Sequence, residues 1–508
     1  MSPRRLIPLV ATLLAAALLL AVPLFSPVTQ PTAVAAATQA VQPASGQPAG
    51  VLAEGTRWAT PYYVVDSGKP GPTVLITGGV HGNEPAGAEA ADQLRHWPLA
   101  KGRLLLIPRC NVPGLEANKR HMPGEPEPIA DLNRDFPRAG EANTTRGPAA
   151  KVLWTFIQKH RPDYTLDLHE GSGFRSAGSN SVGSSIIRIP HPEAERLQNR
   201  ILEAVNASEP EHPFARLRGG ANGSLARACG ERLGARAFIC ETTSADQPLT
   251  RRVRQHRIMV HALLDVLGMA AAGPDALLPP RREGEPVRVA FYAGTGTGGS
   301  KTQAYQAIRA AENDRIVCVG EAEVRPDVLR QFDVLFVPGG SGSKQASAMT
   351  PDGREAVRDF VRKGGGFVGV CGGAYLATSH YTWSLGILDA AVLDTKHWKR
   401  GTGKVEAELT DAGRRVLSHE PSTLTIYFAN GPLLAPGNKP DIPDFETLAH
   451  FRGDIAKNGA PSGVMPGTVA VACGRFGAGR VIVFSPHPEK TSGLEPLALR
   501  AVLWAAGR

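Results

Sequence analysis

The chain has 508 residues, 42% of them hydrophobic and 20% charged, a balance typical of globular proteins rather than disordered or fibrous ones. Its 56 glycines and 42 prolines are spread without a short repeat, which excludes a collagen-like chain. The net charge is +9, but the chain contains no block of five or more basic residues. We therefore expect no nucleic-acid partner. At about 150 residues per domain, the length predicts two or three domains.

Residues 1–37 have the pattern of an export segment. Arg4 and Arg5 precede an uncharged stretch at residues 6–25, and the small residues Ala33–Ala37 follow. This order is typical of a cleaved signal peptide, although the stretch is also long enough for an uncleaved membrane anchor. We therefore expect an exported protein, periplasmic or extracellular, that is either released or attached to the plasma membrane through residues 6–25.

The six cysteines lack the CxxC spacing of a metal site. In an oxidising compartment some of them could form disulfides. The alternative is that most are small buried hydrophobic residues.

Apolar segments bounded by turn residues alternate with helical segments, which predicts an α/β fold in two halves. The strands predicted in the first half are residues 74–77, 103–107, 164–168 and 237–240. The helices predicted there are near residues 86–96, 149–160, 192–205 and 248–267.

A segment rich in proline, glycine and charge, residues 271–286, predicts a linker between a domain at 51–270 and a domain at 287–508. The strands predicted after it are residues 288–292, 333–337, 367–370, 469–473 and 480–484. The helices predicted there are near residues 302–312, 352–363 and 496–506. Both halves have the size of a single domain.

Two histidines and a glutamate in the first half indicate a metal site. His81 and Glu84 are three residues apart at a predicted helix start, so both side chains project to one side. His169 ends another predicted strand, and open α/β sheets place their sites at that edge. Such a set leaves the fourth position of a tetrahedral zinc ion to water, which is the catalytic arrangement. Glu170 is the competing ligand, but strand alternation points it away.

A zinc hydrolase also needs a proton acceptor and fixed cations. Glu241 ends an apolar strand at the same predicted edge, and we interpret it as the general base. Arginine suits both an oxyanion and a substrate carboxylate, and the candidates are Arg120 and Arg134. For Arg120 the alternative is a simple basic loop, because Arg109 and Lys119 lie close in sequence.

The first half resembles the zinc carboxypeptidases, and within them the succinylglutamate desuccinylase and aspartoacylase branch. The motifs are HGNE, N-x-x-G-x-x-x-x-x-R ending at Arg120, DLNR, DLHEG and the strand-borne Glu241, and the resemblance covers residues 73–267. It implies a mixed sheet with helices on both faces, one Zn²⁺ per chain held by His81, Glu84 and His169, and hydrolysis of an amide or peptide bond next to a free carboxylate.

The same resemblance implies roles for the basic residues. Arg120 would stabilise the oxyanion, and Asn133 and Arg134 would grip the substrate carboxylate. The stretch between Arg120 and Asp131 is longer and richer in proline than in the deacylases, which leaves the substrate open between a peptide and an N-acyl amino acid.

The second half contains a cysteine at a predicted strand-to-helix turn. Cys371 follows the strand at 367–370, and glycines beside it permit the sharp turn of a nucleophile elbow. His487 and Glu489 follow a later strand, so the sequence predicts a triad of nucleophile, base and orienting carboxylate. The glycine-rich loop at 338–342 is a candidate oxyanion hole.

His-Pro-Glu alone is a weak signal, because residues 191–193 read identically and are interpreted as a helix start.

Residues 287–508 resemble the class I glutamine amidotransferase fold, and more closely the amidotransferase-like domain at the N-terminus of some biotin-protein ligases. The resemblance implies a Rossmann-like or flavodoxin-like sheet and a Cys371/His487/Glu489 triad. Two alternatives stay open, a hydrolytic thiol amidase and a binding module without catalysis.

The sequence thus predicts an exported metallocarboxypeptidase-like zinc hydrolase that acts on peptides or N-acyl amino acids. The alternatives are a thiol amidase as the main activity, or a non-catalytic module that binds peptide or cell wall.

Overall fold

The computed structural model describes residues 47–175, 178, 181–309 and 315–508. The predicted export segment and the end of the helix predicted near 302–312 lie outside these residues. Within them, no helix combines the length and the apolar character needed to cross a membrane.

Residues 50–243 form an eight-stranded mixed sheet with the strand order β1-β2-β4-β3-β5-β8-β6-β7. The strands are β1 (Gly50–Leu52), β2 (Thr60–Asp66), β3 (Thr73–Gly78), β4 (Arg103–Ile107), β5 (Tyr164–Gly171), β6 (Ser185–Arg188), β7 (Ala215–Arg218) and β8 (Arg236–Thr243). The four predicted strands are the central parallel ones, β4, β3, β5 and β8. These strands are buried on both faces and read as continuous apolar segments, whereas the outer strands do not, and the sequence analysis missed them.

Helices cover both faces of this first sheet. They are α1 (Pro85–Leu94), α2 (Val112–Ala117), α3 (Glu127–Ala130), α4 (Pro148–His160), α5 (Ala194–Ser208), α6 (Leu225–Leu233) and α7 (Leu249–Val266). Helices α1, α5 and α7 contribute to one hydrophobic cluster, and α4 and α6 to another. This is the predicted mixed sheet with helices on both faces.

Residues 289–484 form an eleven-stranded sheet. Its strands are β9 (Val289–Tyr292), β10 (Ile316–Val319), β11 (Val334–Val337), β12 (Gly366–Val370), β13 (Ala390–Leu393), β14 (Thr402–Leu409), β15 (Thr423–Ala429), β16 (Leu433–Pro436), β17 (Glu446–Phe451), β18 (Val469–Phe476) and β19 (Gly479–Phe484). The parallel part, β10-β9-β11-β12-β19, is the Rossmann-like core. From β18 onward the sheet continues with antiparallel strands that, apart from β18, the sequence analysis did not predict.

Helices also cover both faces of the second sheet. They are α8 (Lys301–Arg309), α9 (Pro326–Leu329), α10 (Gly342–Ala348), α11 (Thr350–Arg362), α12 (Gly372–Ala377), α13 (Asp411–Leu417) and α14 (Pro496–Ala505). Helices α8 and α14 pack in one hydrophobic cluster, and α11 and α12 in the other.

The segment 271–286, predicted as a linker, contains no helix or strand among its residues, all of which are described. It is nevertheless packed, because Asp275 and Leu277 are buried. Arg257 of α7 donates hydrogen bonds to Asp275 Oδ1 (2.9 Å) and to Glu323 of the second half. A buried ionic network therefore connects the two halves at this segment.

Candidate active sites

The first site is a buried cluster of His81, Glu84 and His169, in which one ligand atom from each residue lies within 4.8 Å of the others. His81 Nδ1 lies 2.8 Å from Glu84 Oε1, and His169 Nδ1 lies 2.7 Å from Glu84 Oε2. Burial raises the Glu84 pKa, but the charges and hydrogen bonds of the two histidines outweigh it and hold the pKa below its usual range. Two imidazole nitrogens and a carboxylate fit a catalytic zinc ion.

The backbone around the HGNE motif explains why these residues meet. A Cβ on Gly82 would lie 2.0 Å from the carbonyl carbon of Gly114, so the turn after β3 requires glycine at this position. Helix α1 begins at Pro85, directly after Glu84. A Cβ on Gly87 would lie 2.4 Å from the carbonyl oxygen of Leu168, which shows how closely α1 packs on β5. This packing brings Glu84 beside His169.

Acidic residues hold the outer nitrogen of each histidine. His81 Nε2 lies 3.2 Å from Asp131 Oδ1, and His169 Nε2 lies 2.9 Å from Asp167 Oδ2. Thr77 Oγ1 in turn donates to Asp167 Oδ1 at 2.7 Å. These contacts leave both Nδ1 atoms facing Glu84, the arrangement by which outer partners orient metal ligands.

Asp131 and Asp167 are site residues that the sequence did not predict. A signal was present, because each stands two residues before a selected residue, in DLNR and DLHEG respectively. Burial raises the Asp131 pKa, but the hydrogen bond and charge of His81 outweigh it and lower the pKa to about 2. For His169, burial lowers the pKa, but Asp167 and Glu84 outweigh it and raise the pKa well above its usual range.

Glu241 lies on β8 directly opposite His169 on β5, in the register of two parallel strands. It is 8% exposed. Burial raises its pKa to about 8, the charges of Glu84 and Asp167 add to this, and His169 and Arg120 oppose it. A carboxyl group with a pKa near the working pH is suited to accept and then release a proton.

The structure brings the selected basic residues to the same cluster. Arg120 Nη1 donates to Glu84 Oε1 at 2.8 Å, and its side chain is 44% exposed. Arg134 Nη1 donates to the backbone oxygen of Asn133 at 2.7 Å. Asn133 Oδ1 accepts from the amide of Leu225 at 3.0 Å, and Nδ2 lies 3.3 Å from His169 Nε2. The Asn133 side chain therefore also contacts protein groups around the cluster.

The second site lies between β12 and α12. Cys371 has φ 50° and ψ −99°, a conformation that non-glycine residues rarely adopt. A Cβ on Gly372 would lie 2.6 Å from the Gly340 carbonyl oxygen, and one on Gly373 would lie 2.2 Å from that of Val337. The strained turn is a nucleophile elbow, and the glycines beside it permit the close backbone approach.

Cys371, His487 and Glu489 meet at this elbow. His487 Nδ1 lies 2.7 Å from Glu489 Oε1, and a Cβ on Gly339 would lie 2.7 Å from His487 Cε1. Burial lowers the His487 pKa, but Cys371 and Glu489 outweigh it and raise the pKa to about 10. Cys371 Sγ donates to the Ala429 carbonyl at 3.4 Å, and His487 Nε2 has no hydrogen-bond partner among the described residues. Cys371 and Glu489 therefore both favour the protonated form of the His487 imidazole.

All six cysteines are free, so the disulfides considered for an oxidising compartment do not form in this structure.

Two families match the chain. Residues 70–267 match the succinylglutamate desuccinylase/aspartoacylase catalytic domain, and residues 287–399 match the N-terminal domain of biotin-protein ligase. The N-alpha-acetyl-L-2,4-diaminobutyric acid deacetylase of Halomonas elongata is 35% identical over 114 residues, covering 22% of this chain and 32% of the relative. Carboxypeptidase SOL1 of Arabidopsis thaliana is 30% identical over 167 residues, covering 28% and 33%. The chain thus spans about a third of the length of these relatives.

Solved structures with low overall similarity include the mDAP-bound form of Helicobacter pylori Csd4, a D,L-carboxypeptidase. It is 24% identical, with 39% of this chain and 51% of that chain covered and a TM-score of 0.34. A succinylglutamate desuccinylase/aspartoacylase from Rhodobacter sphaeroides is 21% identical, with 47% and 70% covered and a TM-score of 0.31.

The two family matches confirm both resemblances stated from the sequence: residues 70–267 match the succinylglutamate desuccinylase/aspartoacylase catalytic domain, which is zinc-carboxypeptidase-like, and residues 287–399 match the amidotransferase-like N-terminal domain of biotin-protein ligase.

Proposed function

We propose that the chain is a zinc-dependent hydrolase that cleaves an amide or peptide bond next to a free carboxylate. The observation that carries this proposal is the convergence of His81, Glu84 and His169, with Glu241 opposite His169 on the neighbouring strand. The catalytic-domain match over residues 70–267 supports it.

One Zn²⁺ per chain would be held by His81 Nδ1, a Glu84 oxygen and His169 Nδ1. When bound, it would polarise the substrate carbonyl and acidify the attacking water. Glu241 accepts a proton from that water as the new C–O bond forms. It then donates this proton to the amine nitrogen as the C–N bond breaks, so that hydrolysis leaves a carboxylic acid and an amine.

The basic residues orient the substrate in this proposal. Arg120 now contacts Glu84, and its half-exposed side chain can turn to the carbonyl oxygen and stabilise the negative charge that develops there. Asn133 and Arg134 bind the free carboxylate. Arginine presents a planar fork that matches the two carboxylate oxygens.

Metal content and a paired substrate panel test this proposal. We expect about one zinc ion per purified chain, and hydrolysis of peptides with a free C-terminus but not of the same peptides with an amidated C-terminus. N-acyl amino acids and their amides form the second arm of the panel. Purified protein without zinc, or equal cleavage of free and amidated substrates, would refute the proposal.

We propose peptides, including cell-wall peptides, as the substrates, and an exported location for the chain. Residues 1–37 support both, because export would put peptides rather than cytosolic acyl-amino acids within reach. Mass spectrometry of the mature N-terminus, together with cell fractionation, tests this. A mature protein that still begins at residue 1 would refute signal cleavage, and a cytosolic location would refute export.

A second candidate function is a thiol amidase at Cys371. The specific observation is the strained backbone at Cys371 together with the His487–Glu489 pair. The biotin-protein ligase match ends at residue 399, before His487, and therefore does not extend to the whole triad. Activity that survives Glu241→Gln and disappears in Cys371→Ala would assign the main reaction to this site. A wild-type chain that hydrolyses none of these substrates would favour the non-catalytic binding module.

A further inference from the structure

A second layer of polar residues lies behind the metal cluster. Residues alternate along strands β5 and β8, so Glu170 and Thr242 point to the opposite side from His169 and Glu241. Helix α7 packs on that side. Arg252 of α7 hydrogen-bonds Glu170, and His256 Nε2, one turn later, lies 3.2 Å from Thr242 Oγ1. The residue after a metal ligand and the residue after the base are therefore both held by α7.

The Glu170 carboxylate caps the N-terminus of helix α1. Glu84, the N-cap residue of α1, makes no side-chain capping hydrogen bond. Glu170 Oε1 instead accepts from the amide of Ala86 at 2.8 Å. In the opposite direction, the amide of Glu170 donates to Glu84 Oε2 at 3.1 Å. Two hydrogen bonds thus join the start of α1 to strand β5 on either side of the Glu84–His169 contact.

Arg252 stands where a helix by itself would disfavour it. It lies in the first turn of α7, near the positive end of the helix dipole, and α7 has no acidic residue in that turn. Arg252 is also 8% exposed, and a buried charge is costly unless it is paired. Glu170 provides that pairing, so the position of Arg252 is explained by its contact with Glu170 rather than by the stability of α7.

We propose that Glu170, held by Arg252, is a positioning residue for the zinc ion. The ion pair fixes the start of α1 on β5 and thereby sets the distance between the Glu84 and His169 ligand atoms. Outer partners of this kind typically change metal affinity by about 10–100-fold when they are removed. This inference rests on the zinc site of the proposed function, and it predicts an effect on metal affinity beyond any effect on stability.

The test measures zinc affinity of the full-length chain by competition with a chelator, beside urea unfolding. The variant is Glu170→Gln, and the matched control is Glu285→Gln. Glu285, near the end of the segment 271–286, forms a buried ion pair at 2.5 Å with Arg288 of the second half, and the two side chains are 7% and 4% exposed. We expect both variants to lose stability, but only Glu170→Gln to bind zinc about 10–100-fold more weakly. Arg252→Met removes the charge and should weaken zinc binding. Arg252→Lys retains the charge and should keep most of the zinc affinity that Arg252→Met loses.

Unchanged zinc affinity in folded Glu170→Gln would overturn the inference. If that variant does not fold, Glu170→Gln/Arg252→Met takes its place, because it leaves no unpaired buried charge. Wild-type affinity in this double variant would overturn the inference equally. A wild-type chain that binds no zinc has a different meaning, because it refutes the proposed function itself and the positioning role with it.

Discussion

The metal cluster and the thiol site lie at equivalent edges of their sheets but are assembled differently. Both lie at the carboxyl ends of parallel strands, where open α/β sheets place their ligands. The metal cluster combines side chains from separate elements, with His81 after β3, His169 on β5 and Glu241 on β8. The thiol site instead depends on a strained backbone at Cys371 and on His487 and Glu489, which are two residues apart.

This difference shows which physical property each site depends on. The metal cluster is an electrostatic assembly, in which Asp131 and Asp167 orient the histidines and burial raises the Glu241 pKa to about 8. Removing the carboxylate of Asp131 or Asp167 should therefore disturb the orientation of the histidine that it contacts. The thiol site depends on local geometry, because neighbouring backbone approaches Gly372 and Gly373 too closely for a side chain.

Glu241→Gln is expected to produce the largest change in activity, and only in the reaction at the metal cluster. It removes the proton acceptor and should lower kcat for the zinc hydrolysis by about 10²–10⁴-fold. Zinc content should stay unchanged, because Glu241 is not among the grouped ligands. Steady-state kinetics with metal analysis checks this, and Glu116→Gln, an exposed carboxylate on α2, is the control. Wild-type turnover in Glu241→Gln would contradict the role of this residue as the base.

Arg257→Met tests whether the buried ionic network between the two halves of the chain contributes to stability. Arg257 is fully buried and contacts both Asp275 and Glu323, so its loss leaves buried carboxylates without this partner. We expect the free energy of unfolding to fall by about 3–5 kcal/mol in urea titrations. Arg196→Met on the exposed side of α5 should change it by less than about 0.5 kcal/mol. An equally small change in Arg257→Met would show that the network contributes little.

Glu489→Gln is expected to produce a pH-dependent loss of stability on the thiol side. The His487 pKa is raised from 6.5 to about 10, so the stabilisation is fully present below pH 6.5 and is lost as the pH rises through about 10. At pH 6 the free energy of unfolding of the wild type should exceed that of Glu489→Gln by about 2 kcal/mol. This difference should narrow as the pH rises toward 10.

Unfolding titrations at several pH values measure this difference. Glu193→Gln is the matched control, because its His-Pro-Glu sequence is identical but Glu193 is exposed at the start of α5. A difference between wild type and Glu489→Gln that stays constant from pH 6 to pH 10 would contradict the prediction.

Alkylation is expected to show the smallest effect and to separate the thiol site from the other cysteines. Burial raises the thiol pKa of Cys229 and Cys473 to about 12, so their reactive thiolate is scarce, whereas Cys371 lies beside the His487 imidazole. Iodoacetamide at pH 8 should label Cys371 about tenfold faster than either, and His487→Ala should slow that labelling. Peptide mass spectrometry measures the rates. Equal rates at all three cysteines would argue against an activated thiol.

Site residues that stand at the end of a continuous apolar strand could be selected from the sequence. The continuous apolar strands β3, β5 and β8 were predicted because strands buried on both faces need no alternation. The ends of those strands identified His169 and Glu241 as candidates. The outer strands β1, β6 and β7 were missed because they have only three or four residues each. Strand β2 was missed although it has seven residues, and its Pro61 is a residue that argues against a strand in sequence.

The sequence by itself determined the α/β class, the two family resemblances and the identity of the candidate site residues. Tertiary structure alone decided which distant groups hold those residues, namely Asp131 at His81, and Arg252 at Glu170. The physical reason is that strand and helix patterns depend on neighbours in sequence, whereas a buried charge depends on a partner that only packing brings near.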